Sequence, residues 1–144
     1  WGCDSVSFYV DGGYPWWHEP PWQPRLVFHE GFRMSRCSDH FYRDVGYGGE
    51  ELVVKIECTE SEAGDPAEIV GRLIWQDGWG SESLFRIDAC GVHGEPPRRG
   101  RVFVSELGPM RVEVEIEDFE LEGTNRWRPS RMNWIQFDVR VYEK

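Results

Sequence analysis

Apolar side chains recur at every second position along several stretches of the chain. In Glu51–Cys58, Leu52, Val54, Ile56 and Cys58 share one side, and Val53, Lys55 and Glu57 the other. Met110–Ile116 alternates more cleanly, with Met110, Val112, Val114 and Ile116 against Arg111, Glu113 and Glu115. Ile135, Phe137, Val139 and Val141 repeat the pattern near the C-terminus, opposite Gln136, Asp138 and Arg140. A period of two belongs to an extended strand with one buried face. Asp77-Gly78 supplies the positive φ angles of a two-residue hairpin turn between Ala67–Gln76 and Trp79–Ala89, with Gln76 opposite Trp79. The alternation in these two arms is imperfect, which predicts a bulge or burial on both faces.

Shorter strands are expected at Ser5–Val10, Arg25–Glu30 and Arg101–Leu107. Turn signals at Asp11-Gly12-Gly13, Gly48-Gly49, Asp65-Pro66, Pro96-Pro97, Gly108-Pro109 and Gly123 separate the segments. Helical spacing is hard to find; Gly31–Arg43 has room for a single turn at most. The pattern predicts an all-β fold with little or no helix. It reads as one domain over residues 1–144, a mostly antiparallel sandwich of about eight strands, jelly-roll-like or barrel-like. Three long loops stand out at Asp11–Pro24, Cys90–Gly100 and Leu121–Arg131, and loops of that kind tend to carry function.

Length and composition agree with one core. The chain has 144 residues, 40% hydrophobic and 15% aromatic. No run approaches a membrane-spanning length. The formal charge is -10, which argues against a nucleic-acid binder, since phosphate recognition needs a basic face. Arg outnumbers Lys 14 to 2, and Thr and Asn number 2 each. That bias fits a GC-rich coding sequence and departs from the Ser/Thr/Asn-rich surface usual in secreted carbohydrate-binding modules. The first residue is Trp, so a start methionine with a tag, or a signal peptide, is expected upstream. Cysteines stand at 3, 37, 58 and 90. Two disulfides are permitted, but a domain of this size does not need them, so reduced cysteines in the cytoplasm are expected unless a signal peptide was removed before Trp1.

Two Cys-x-x-His motifs, Cys37-Ser38-Asp39-His40 and Cys90-Gly91-Val92-His93, carry the most distinctive chemistry. A thiolate and an imidazole on each of two tight turns complete the tetrahedral shell of one structural zinc ion, if the turns meet. The competing reading makes Cys37 and Cys90 small core residues, or members of a disulfide, with His40 and His93 on surface loops. Trp16, Trp17, Trp22, Trp79 and Trp127 fall in loops and turns, where exposed rings stack on sugars or anchor a protein interface. Alternatively, the Trp-Pro loop folds back over an open sheet face. Glu113, Glu115 and Glu117 line the polar side of one strand, as a solvated face or as an attraction for a basic partner.

No nucleophile elbow, Walker loop or His-Glu-x-x-His motif is present. The first expectation is therefore a non-enzymatic, acidic protein-binding module, of inhibitor or immunity type, that docks a basic protein. A carbohydrate-binding sandwich using the loop tryptophans is the second. A glycosidase-like domain is the third, because Glu113 and Glu115 lie roughly 7 Å apart along a strand.

Overall fold

A computed structural model describes residues 24–46, 52–60, 66–75, 80–122 and 131–143. Eight strands follow in chain order: β1 (Arg25–Met34), β2 (His40–Asp44), β3 (Leu52–Glu60), β4 (Glu68–Trp75), β5 (Gly80–Asp88), β6 (Val102–Leu107), β7 (Met110–Glu122) and β8 (Arg131–Glu143). They form two four-stranded antiparallel sheets, ordered β1-β8-β7-β6 and β2-β3-β4-β5. Each sheet is hydrogen-bonded within itself, so the fold is a sandwich and not a closed barrel. Within each sheet neighbours mostly follow in chain order, as meanders, in place of jelly-roll interleaving. The first sheet takes in β1 beside the last strand, β8.

The alternating apolar residues face each other between the sheets. Leu52, Val54 and Ile56 of β3 oppose Val112, Val114 and Ile116 of β7 and Ile135, Phe137, Val139 and Val141 of β8 in one buried cluster. An aromatic stack joins the layers near its centre. Phe85 of β5 lies 4.9 Å from Phe103 of β6 and 5.5 Å from Phe137 of β8, ring centre to ring centre. Gly71, the cross-strand partner of Phe85, makes this possible. A Cβ there would sit 2.2 Å from the Phe85 ring.

The expected bulge in the central hairpin lies between Gly71 and Arg72, where pairing steps from Phe85 to Ser83. The described ladder of that hairpin ends at Trp75 opposite Gly80. Asp77-Gly78, and the pair Gln76 and Trp79, lie outside the described residues, as does the expected strand Ser5–Val10. Gly31–Arg43 holds no helical turn. β1 extends through it to Met34, and β2 begins at His40. Pairing with β8 from Arg25 to Met34 overrides the weak local signal there.

The link between β1 and β2 crosses from one sheet to the other. Asp39 organises it by accepting hydrogen bonds from the Ser35 and Arg36 amides, at 2.9 and 3.0 Å. These amides, the Ser35 bond foremost, hold its carboxyl below the usual range against the opposing effect of burial. A disulfide between Cys37 and Cys58 ties this link to β3, with Cα atoms 5.1 Å apart. Bidentate bonds from Arg43 of β2 to Glu30 of β1, both at 3.0 Å, brace the same edge.

Candidate functional site

The disulfide corrects the expectation of reduced cysteines. It also consumes the Cys37 thiol that the zinc reading required. Cys37 and His40 lie beside β2, at one edge of the β2-β3-β4-β5 sheet, and Cys90 and His93 follow β5 at the other. Three strand spacings of about 4.8 Å separate those edges, so the structure does not bring the four residues into one shell. Among the described residues, no three His, Cys, Asp or Glu side chains gather as a metal site.

The second motif is organised around a carboxylate. Asp88 accepts hydrogen bonds from the His93 amide at 2.7 Å, the Cys90 amide at 3.0 Å and the Cys90 Sγ at 3.1 Å. Burial pushes the Asp88 carboxyl up, but these hydrogen bonds outweigh it and leave it below the usual range. Partial desolvation, together with Asp88, raises Cys90, so the thiol keeps its proton. The turn also needs glycine. Gly91 has φ of 73°, and a Cβ on Gly94 would meet the Arg86 carbonyl oxygen at 2.6 Å. Glu95 then hooks back, donating its amide to the Arg86 oxygen and accepting the Asp88 amide, each at 2.9 Å.

A shallow depression of about 370 Å³ borders the disulfide, lined in part by Asp39, His40, Tyr42, Lys55 and Glu57. Lys55 and Glu57 pair across it at 3.3 Å.

The broadest described constellation is the outer face of β1-β8-β7-β6. Cross-strand register lays it out in rows. Leu26, Tyr142, Arg111 and Glu106 form one row; His29, Arg140, Glu113 and Val104 the next. Gly31, Asp138, Glu115 and Val102 follow, then Arg33, Gln136 and Asp118. Arg140 is the hub. Its guanidinium lies 2.8 Å from Asp138, 3.1 Å from Glu115 and 3.5 Å from Glu113. Burial would lower the Arg140 pKa, but the bond to Glu115 and the charge of Asp138 raise it, so it stays charged. His29 Nε2 pairs with the buried Asp138 at 2.7 Å, and Arg111 with Glu113 at 3.0 Å.

Glu113 and Glu115 are therefore set in an ion-pair network rather than standing free. Glu117 is exposed at the bulge between Ile116 and Asp118. At the far end of the face, Arg33 stacks 4.2 Å above the Trp134 ring, whose Nε1 donates to Glu120 at 2.9 Å. Arg99 reaches the same end and bonds Asp118 at 2.5 Å. That bond, with the Phe119 amide, holds the Asp118 carboxyl below its usual range.

Of the residues singled out in the sequence, Glu113, Glu115 and Glu117 are on β7 here. Trp16, Trp17, Trp22, Trp79 and Trp127 lie outside the described residues. Sequence reasoning missed Leu26, Val104 and Arg140. Leu26 and Val104 are 50% and 48% exposed on this face. Alternation alone offered a signal for Val104, which with Val102 puts apolar residues on the outward side of β6. The chain was compared with protein-family models, with curated proteins and with solved structures, and none matches.

Proposed function

We propose that the chain is a protein-binding module that docks a basic partner on the outer face of β1-β8-β7-β6. The charge balance of that face carries the reading. Six carboxylates (Glu106, Glu113, Glu115, Asp118, Glu120 and Asp138) outnumber four guanidiniums there (Arg33, Arg111, Arg140 and Arg99, which reaches in to Asp118), with His29 beside Asp138. The exposed Leu26 and Val104 flank the network. Apolar anchors set among pre-positioned charges suit protein recognition: the anchors are desolvated on docking, and the net negative field steers a positive partner and sets register.

The experiment is capture on the immobilised chain at about 50 mM and at about 0.5 M salt, where screening removes long-range attraction. The partner should be basic, and its affinity should fall with salt and fall again in Glu106→Lys/Glu120→Lys. A partner indifferent to salt and to both charge reversals would defeat the reading. Sugar binding has less support on the described surface, because Arg33 already occupies a face of the Trp134 ring.

The Cys37–Cys58 bond supports an oxidising compartment for this chain, in place of the cytoplasm. Thiol alkylation of the native protein without reductant should leave Cys37 and Cys58 unlabelled. Labelling of both would return it to a reducing compartment.

A further inference from the structure

We propose that the depression beside Cys37–Cys58 is a site of thiol–disulfide exchange, where a dithiol reduces the bond in the folded protein and frees the β2 edge. Both cysteines line the depression and both are half-buried, so the bond lies at a surface that solvent reaches. Attack on a disulfide needs such access. Ser38, Asp39 and His40 form one wall, from the turn that leads into β2. Tyr42 of β2, with Lys55 and Glu57 of β3, forms the other. The space, about 370 Å³, admits a small dithiol. The exchange needs no further reactant. One thiolate of the dithiol bonds to one cysteine sulfur as the Cys37–Cys58 bond breaks. The electron pair leaves on the other sulfur, which takes up a proton. The second dithiol sulfur then displaces the first cysteine. The dithiol is oxidised to a disulfide, and its two protons end on Cys37 and Cys58. His40, Tyr42 and Lys55 wall the depression with proton-bearing groups, which suits a step that leaves a thiolate.

The place of the bond makes its reduction a local event. Asp39 accepts the Ser35 and Arg36 amides whether or not the sulfurs are joined, so the turn keeps its own hydrogen bonds. What the bond adds is the tie from that turn to Cys58 of β3. Within β2, Phe41 is the one buried side chain. Once the bond is reduced, β2 rests on Phe41, on its five-residue ladder to β3 and on the Arg43–Glu30 pair. The ladder between β7 and β8 is in the other sheet and involves neither cysteine. Opening is therefore confined to β2 and to the edge of β3 that β2 covers, a part of the fold with few buried contacts of its own. The site lies on the other sheet from the docking surface and does not rest on that reading.

The rate of reduction by dithiothreitol tests it on the full chain. Free thiols, Cys90 among them, are first blocked with one alkylating agent. Labelling of Cys37 and Cys58 with a second agent then follows the reaction. Without denaturant the rate should rise in proportion to the dithiol and stay level between zero and about 1 M urea, because the folded chain reacts. Amides of β7 and β8 should remain protected in the reduced product. Ser38→Phe, which places a ring in the depression, should slow the reaction on the order of tenfold. A rate that climbs with urea at the full slope of global unfolding overturns the proposal, since the sulfurs then react only in the unfolded chain. So does a rate that Ser38→Phe leaves unchanged while β7 and β8 stay protected. If that variant does not fold, the urea dependence of the unmodified chain decides.

Discussion

Gly71 and Phe85 show how one absent side chain shapes the centre of the molecule. The Phe85 ring fills the space above Gly71 and from there reaches Phe103 and Phe137 in the opposite sheet. Gly71→Ala should destabilise the fold by about 1–3 kcal/mol, because the ring must leave its stack. Phe85→Ala should cost about 3–5 kcal/mol through the cavity it leaves. Urea denaturation of both variants checks this, and a Gly71→Ala chain as stable as the parent would contradict it. Asp88 makes a pH prediction. Its folded pKa lies below the ordinary 3.8, so its contribution is complete above that value. That contribution is lost as pH falls through the lower, folded value. Asp88→Asn should therefore lower stability near neutrality and flatten the acid limb of a stability–pH profile below pH 3.8.

Among the elements, the crossing from β1 to β2 depends most on a covalent bond. β2 is short, lies at a sheet edge, and follows a turn held by Asp39. The Cys37–Cys58 disulfide closes a loop of 21 residues, worth about 3 kcal/mol in the chain-entropy account. Reduction should lower the free energy of unfolding by about that amount, read as a shift in urea midpoint with and without a phosphine reductant. Hydrogen exchange should quicken first in β2 and the adjacent part of β3, ahead of β7 and β8. A midpoint unmoved by reduction would show that the Arg43–Glu30 pair and the packing of Phe41 hold this edge without the bond.

At the scale of the whole molecule, two sheets enclose one apolar cluster and present contrasting outer faces. One carries the Arg140 network with Leu26 and Val104; the other buries Val53 and Val70 outside the core. Salt-sensitive docking is expected on the first. Much of the architecture was legible beforehand. Alternation in β3, β7 and β8 marks which residues face inward, because a pleated strand sends successive side chains to opposite sides whatever its neighbours are. Imperfect alternation in β4 and β5 likewise betrayed the bulge beside Gly71. The site was less legible. Arg140 reads as one more polar residue on β8. It becomes a hub only because β8 lies beside β7, which sets Glu113 and Glu115 across from it. Cys37 and Cys58 carry no spacing signal, and they meet because the β1–β2 crossing lays its turn against β3. The paired Cys-x-x-His motifs fall at opposite sheet edges for the same reason, since spacing within a motif says nothing about which sheet edge it occupies. Local periodicity thus determined the strands and their buried sides, a property of the backbone alone. Strand order and the packing of the two sheets decided which distant residues touch, and with that the disulfide, the ion-pair network and the character of each face.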